Sequence, residues 1–395
     1  MRWMMTLFWA FAVTASALEL PVDALSAIVI NADSGAVLFE KKADERCFPA
    51  SLTKVATALY ILEREGLDFT RTISPSEEAL FTVHADKKQA NITRYPPHRL
   101  EHNGAKAGLR PGKKLPLWAA FYGMLIKSGN DCANALAESF EKSIPDFMQC
   151  MNAYLGEIGC KNTHFLNPHG LHHPMHRTTA RDLALIAAKA CKSEIFREVV
   201  SSRGFFLEVE GEKKKKWEQG NKLLDPKSLF YYPFATGIKI GYTEKSGCSL
   251  LASAEKNGRK LILVLLGCPK SKKRYQEAIK LFEAAFAEEK TTNVLVEKQQ
   301  RFLKKWEKQR VEVEGFLKRP CVIDYYPSEK PSNLTAFVHW SPLRLPIAAG
   351  DVVGRVEVLS GDKVLIEEHL YASRSIPMPL TMKIRAFFKR LFFWT

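Results

Sequence analysis

Past its first seventeen residues this chain has no run of ~18 uninterrupted apolar residues, so nothing in the remaining body reads as a membrane-spanning helix. A net charge of +15 invites a nucleic-acid partner, but no nucleic-acid-binding module accompanies it. The positive charge is instead spread over residues 87–114, 213–216, 301–310 and the tail, and attraction to an anionic membrane or an acidic wall polymer accounts for it. Cysteine is sparse and scattered, eight residues in 395, with Cys132, Cys191 and Cys268 inside apolar runs. That placement predicts mostly buried thiols rather than a disulfide framework. Four crowded histidines, His169, His172, His173 and His176, lack the spacing of a zinc motif, so neither a metal nor a cofactor is expected.

What is present is a globular composition, 46% hydrophobic and long enough for two domains. Residues 1–17 hold an early arginine, an apolar run through Val13 and then Ala15-Ser16-Ala17, the pattern of a secretory leader that lies outside the fold. Export to the periplasmic face of a bacterial cytoplasmic membrane follows as the expectation. At the other end, residues 382–395 place Ile384, Phe387, Phe388, Leu391 and Phe392 on one helical face, with Lys383, Arg385, Lys389 and Arg390 largely on the other. Trp394 adds a headgroup-layer aromatic, and residues 376–395 are read as an amphipathic helix that anchors the protein peripherally to the membrane surface.

Between these ends, residues 27–31 and 36–40 flank Ala32-Asp33-Ser34-Gly35 and predict a hairpin; a second hairpin is expected around Asn257-Gly258. Helical patterns fill the interval. Strands at both ends of a domain with helices between them indicate an α+β fold, an antiparallel sheet covered by helices, spanning residues 18–289. Short β-type runs separated by Pro and Gly then predict a small all-β domain over residues 291–371.

The chemistry starts at Pro49-Ala50-Ser51-Leu52-Thr53-Lys54, at the head of a helix whose buried face is marked by Val55, Leu59 and Leu62. Ser51 and Lys54 lie one turn apart on one face, where an amine can activate a hydroxyl and the helix dipole favours an alkoxide. S-x-x-K alone is weak, since about one or two copies are expected by chance in such a chain. The other copy, Ser253 to Lys256, runs into the Asn257-Gly258 turn and is set aside. Ser128-Gly129-Asn130 precedes another helix and puts a hydroxyl and an amide on a turn. Lys239-Ile240-Gly241 reads as strand, with a glycine where a substrate backbone approaches closely. Each has a purely structural reading by itself, as a helix cap or a solvated edge lysine.

In order, however, S-x-x-K, S-x-N and K-x-G form the triplet of penicillin-binding proteins and class A β-lactamases. The chain resembles the low-molecular-mass D-alanyl-D-alanine carboxypeptidases in these motifs and beyond them. Asn31-Ala32-Asp33-Ser34-Gly35, Thr163-His164-Phe165 with Asn167, Gly170 and Leu171, and Pro346-Ile347-Ala348-Ala349-Gly350-Asp351 look like family segments. The resemblance implies removal of the terminal D-alanine from peptidoglycan stem peptides through a Ser51 acyl-enzyme, with β-lactams as inhibitors. It further implies Lys54 as base, Ser128 as proton relay and Asn130 as holder of the substrate amide. The oxyanion hole would be the N–H groups of Ser51 and Tyr242, with Lys239, Gly241 and Arg274 on the side of the substrate carboxylate. Alternatives are a β-lactamase of the same fold, or a wall-binding scaffold with a weakened site. One residue departs from the family motif: Ile240 stands where threonine is usual, which removes a hydroxyl and predicts a loss of ~1–2 kcal/mol. Residues 84–114 form a longer and more basic segment than the family usually shows.

Overall fold

Residues 261–266 supply six successive apolar side chains, all fully buried, and their alternation organises the larger unit of the molecule. Ile262, Val264 and Leu266 enter one apolar cluster, and Leu261, Leu263 and Leu265 enter another on the opposite side of the sheet. Period-2 alternation therefore feeds two cores from one strand, which is the requirement for a sheet covered on both faces. The computed structural model describes residues 5–11, 18–207, 215–307, 310–331, 333–380 and 383–384.

These residues form two compact units, one of residues 17–287 and one of residues 1–16 with 288–395. In the first, Arg259–Cys268 is the central strand of a five-stranded antiparallel sheet. Gly247–Lys256 and the edge strand Ala235–Thr243 lie on one side of it; Ser26–Asn31 and Val37–Lys41 lie on the other. Both expected hairpins are present, and the second turns at Asn257 (φ 52°) and Gly258 (φ 77°), the two left-handed positions that Asn-Gly favours. Helices Thr53–Leu62, Leu117–Leu125, Asn130–Phe140, Ile144–Glu157 and Ala180–Ala190 contribute to the first core, and Ser271–Phe286 packs into the second. The helix after Ser51 is buried all round from Thr53 to Ile61, not only on the face marked by Val55, Leu59 and Leu62. Helices on every side of it explain why.

The second unit is a six-stranded antiparallel sheet that includes Arg301–Trp306, Val311–Leu317, Leu334–Trp340, Val352–Ser360 and Lys363–Ala372. Its own core is built from Val313, Leu334, Ala336, Val338, Val356, Val358 and Leu370. Met5–Phe11, inside the leader-like stretch, pairs antiparallel with Leu334–Trp340. Apart from Lys383 and Ile384, the amphipathic stretch expected over residues 382–395 lies outside the described residues. Among the described residues no helix is long and apolar enough to cross a membrane. All eight cysteines are free thiols and five of them are buried, Cys132 and Cys268 included; Cys191 is half-buried and Cys150 exposed.

Candidate active site

Ala50-Ser51-Leu52 forms a single 3-10 turn that runs into the helix Thr53–Leu62, so Ser51 stands at the mouth of a buried helix and Lys54 one turn inside it. Lys54 is fully buried. Its Nζ has three oxygen neighbours: Ser51 Oγ at 3.0 Å, Asn130 Oδ1 at 2.7 Å and the His169 carbonyl at 2.6 Å. Burial pushes the Lys54 amine well below the usual lysine range and the field of Lys239 pushes it further, against the opposing field of Asp131. A neutral amine has two hydrogens and one lone pair. Asn130 Oδ1 and the His169 carbonyl only accept, so they take the two hydrogens and leave the lone pair to the Ser51 hydroxyl.

Asn130 opens the helix Asn130–Phe140 and is 3% exposed. Ser128 precedes it on a turn with φ 61°, a left-handed conformation uncommon for a residue with a side chain. The edge strand Ala235–Thr243 packs on the Ser51 turn. Lys239 pairs across the ladder with Leu251, a member of the core on the catalytic-helix side, and is 1% exposed. Burial, with Arg274 nearby, brings the Lys239 amine down to about 7. Lys239 thus depresses Lys54 in a dry site, as Arg274 depresses Lys239.

Gly241 lies where the strand meets the Ser51 turn: a Cβ there would stand 3.1 Å from the Pro49 carbonyl oxygen and 3.2 Å from Ala50 Cβ. Thr243 N–H donates to Ser246 Oγ within the hairpin turn at 2.8 Å. Successive N–H groups of a strand point to opposite sides, so that of Tyr242 points to the free edge of the sheet. The Tyr242 side chain is exposed. Arg274, in the first turn of Ser271–Phe286, is 6% exposed and donates to the carbonyls of Gly241 (3.2 Å) and Ser249 (3.4 Å) and to Tyr275 Oη (3.1 Å). Ile240 pairs with Leu250 of the second core, on the opposite face from Lys239, and its Cδ1 packs against Gly220. With its side chain on the face away from Lys239, Ile240→Thr is expected to change kcat/KM for a D-Ala-D-Ala peptide by less than about three-fold and to lower Tm slightly for the lost contact, so the hydroxyl missing from the motif costs little here.

Three contributors were given no role by sequence reasoning. One is the His169 carbonyl, invisible to any side-chain motif. Another is Asp131, which reads as the end of the Ser128 turn but is buried with a fully engaged carboxylate. The third is the pair His169 and His176. His169 Nδ1 accepts from Leu171 N–H (3.1 Å) while Nε2 donates to the His98 carbonyl (3.1 Å). His176 Nδ1 accepts from Leu166 N–H (3.0 Å) while Nε2 meets Thr53 Oγ1 (2.9 Å), which itself donates to the Ala50 carbonyl. As neutral imidazoles with both nitrogens in use, the His176 ring braces the Ser51 turn and the His169 ring ties its own loop to residue 98.

Burial holds the His169 and His176 imidazoles well below the usual histidine range. Below about pH 6.5 the unfolded chain protonates them and the folded chain does not, so the unfolded state binds more protons and stability falls with falling pH. Each contributes a slope approaching about 1.4 kcal/mol per pH unit until its folded pKa is reached. Urea unfolding at pH 7.5 and 5.5 is expected to show this loss, and His176→Gln to reduce it.

The whole sequence supports the same grouping. Residues 12–270 match the D-alanyl-D-alanine carboxypeptidase family, peptidase S11, and residues 291–378 match the C-terminal domain of penicillin-binding protein 5. The chain is 32% identical to the D-alanyl-D-alanine carboxypeptidase DacF of Bacillus subtilis over 273 residues, which is 69% of this chain and 64% of that protein. It is 29% identical to DacA of Haemophilus influenzae over 365 residues, 88% of this chain and 85% of that protein. Among solved structures, penicillin-binding protein 5 from Haemophilus influenzae superposes with a TM-score of 0.62 at 25% identity, covering 92% of this chain and 100% of that one. With its two β-containing units, its Ser51–Lys54–Asn130 constellation and these matches, the chain belongs to the D-alanyl-D-alanine carboxypeptidase family of serine peptidases.

Proposed function

We propose that the protein removes the terminal D-alanine from D-Ala-D-Ala stem peptides of peptidoglycan by a serine acyl-enzyme route. The observation that bears most weight is the Lys54 amine, fully buried, with two of its three oxygen neighbours able only to accept. Lys54 takes the proton of Ser51 as Oγ attacks the penultimate carbonyl carbon. The oxygen of that carbonyl gathers negative charge, and the N–H groups of Ser51 and Tyr242 stabilise it. Ser128 relays that proton from Lys54 to the departing D-alanine nitrogen, which returns Lys54 to its neutral form and Ser128 to its hydroxyl. Asn130 holds the substrate amide, and Lys239, reinforced by Arg274 behind the strand, supplies positive potential to the terminal carboxylate. Water then attacks the Ser51 ester and restores the hydroxyl. A β-lactam ring opens on Ser51 by the same first step and leaves a slow ester, hence inhibition.

The test is to incubate the protein with a D-Ala-D-Ala pentapeptide and measure free D-alanine, then to label with a fluorescent penicillin and map the adduct by peptide mass spectrometry. Release blocked by prior labelling, with the adduct on Ser51, is the expected result. Release unaffected by labelling, or an adduct elsewhere, defeats the reading.

Export and anchoring belong to the same proposal. The leader pattern in residues 1–17 supports removal during secretion, and the segregated Phe and Lys/Arg residues of 382–395 support peripheral attachment. A chain ended at Pro377 is expected to stay in the supernatant when full-length protein sediments with anionic vesicles.

A further inference from the structure

The basic segment after His84 has no role in the mechanism so far, yet the structure lays its second half directly against the groups that hold Lys54. The His98 carbonyl accepts from His169 Nε2 (3.1 Å) and from Asn134 Nδ2 (2.9 Å). The Ala105 carbonyl accepts from the Asn130 N–H (2.8 Å). Gly104 comes so close that a Cβ would stand 2.9 Å from Asn130 Nδ2. At the far end, three consecutive N–H groups converge on one carboxylate: Ala107 donates to Asp131 Oδ1 (2.9 Å), and Gly108 and Leu109 donate to Oδ2 (2.8 and 3.0 Å). Gly108 has φ 85°, so its left-handed turn makes the run an anion-binding nest. Oδ1 also accepts from Cys132 N–H (3.0 Å), and Asp131 is 2% exposed. The near end is tied separately: the buried Lys88 amine donates to the Arg99 carbonyl (2.7 Å) and pairs with Glu101 (3.6 Å).

We propose that residues 98–109 are a strap that fixes both acceptors of Lys54 Nζ, the Asn130 side chain and the His169 carbonyl, and that Asp131 is the positioning residue that pins it. The proposal deepens the functional reading above and rests on it. A surface loop held by one carboxylate would matter little to catalysis; this one contacts Asn130 through Gly104 and Ala105 and His169 through His98. Releasing the pin frees the strap from the side of Asn130, so the amine loses the geometry that leaves its lone pair toward Ser51. The pin also acts through its charge. The groups that face Lys54 are Lys239 from the edge strand, Asp131 and the Cys132 thiol from the helix Asn130–Phe140, and the neutral His169 from its loop. Asp131 is the carboxylate among them and favours the ammonium, so its neutralisation makes Lys54 easier to deprotonate.

The test is Asp131→Asn, which keeps the shape and one acceptor oxygen but turns an amide NH2 toward two N–H donors. The expected result has three parts. The rate of acylation by penicillin and kcat for D-alanine release fall about ten-fold or more, while KM changes by less than about three-fold. The acid limb of the pH–acylation profile moves to lower pH, and Asp131→Glu, which keeps the charge, returns that limb toward its original position. Amide hydrogen exchange at Ala107, Gly108 and Leu109 accelerates about ten-fold or more while the central strand Arg259–Cys268 stays protected. Unchanged rates and pH limb in a folded Asp131→Asn protein overturn the proposal. So does a rate loss accompanied only by a lower Tm, with the limb and the three amides unmoved. If the wild-type protein neither releases D-alanine nor takes the label, the functional reading fails, and the exchange of those amides still decides whether Asp131 pins the strap.

Discussion

Ser51→Ala and Lys54→Met each lower kcat/KM for a D-Ala-D-Ala peptide by about 10³-fold or more, and the double variant is no slower than the worse single one. The expectation follows from a single step. In the proposed mechanism Ser51 supplies the attacking oxygen and Lys54 removes its proton; with either absent, the other has nothing to act on, so their effects do not add. Lys54→Met nearly preserves the side-chain volume of a fully buried residue and removes only the amine. It leaves Asn130 Oδ1 and the His169 carbonyl without their shared donor, at about 1–3 kcal/mol for each group left unsatisfied in a dry site. Removal of a desolvated amine held against Lys239 offsets part of that cost. The variant is therefore expected to fold with a modestly lower Tm while losing acylation almost completely. Single-turnover labelling by a fluorescent penicillin, read beside circular dichroism, separates the two effects. Labelling of Lys54→Met at the wild-type rate would remove Lys54 as the base.

How much of this was legible beforehand depends on the kind of interaction. The sheet was legible because hairpins advertise themselves: Asn257-Gly258 between two apolar runs predicts one, and the structure then puts the second run, residues 261–266, at the centre of the sheet. Ser51, Lys54 and Asn130 were legible because their chemistry needs named side chains at fixed spacing, and the structure joins all three through Lys54 Nζ. Lys239 was legible as a strand lysine, but its burial was not, because an edge strand normally leaves a lysine in water and only packing on the Ser51 turn dries it. What stayed hidden was done by backbone atoms. The His169 carbonyl on Lys54 and the three N–H groups on Asp131 have no side-chain signature, and the latter lie 22 to 24 residues away from it in sequence. Arg274 illustrates a third case: the resemblance implies a place for it on the side of the substrate carboxylate, and the structure shows it buried and donating to the carbonyls of Gly241 and Ser249 and to Tyr275 Oη.

Gly170→Ala is expected to cost about 3 kcal/mol or more of stability and at least about 10²-fold in kcat, the largest effect of any substitution that leaves all the motif side chains intact. Gly170 has φ 90°, and a Cβ on it would stand 1.8 Å from the Ala50 carbonyl oxygen and 2.4 Å from its carbon. Left-handed strain alone accounts for about 1–2 kcal/mol. The overlap is worse, because both sides of it are backbone and no rotamer can relieve it. Gly170 is itself held by Asn167 Oδ1, which accepts its N–H at 2.7 Å, so the loop yields less readily than the 3-10 turn. The turn is the element that carries Ser51, whose N–H nitrogen stands 3.0 Å from the same added carbon. Movement there shifts the nucleophile and one donor of the oxyanion hole together, and an ångström of misplacement is enough for a hundred-fold loss. Gly35→Ala is the control: at φ 74° it carries similar strain, but nothing lies within 4 Å of its added carbon. A Gly35→Ala protein with near-normal acylation beside a Gly170→Ala protein without it would assign the loss to the contact with Ala50. Equal losses in the two would assign it to strain, and equal retention would mean that the Ser51 turn tolerates displacement and that its fixed geometry is not what drives acylation.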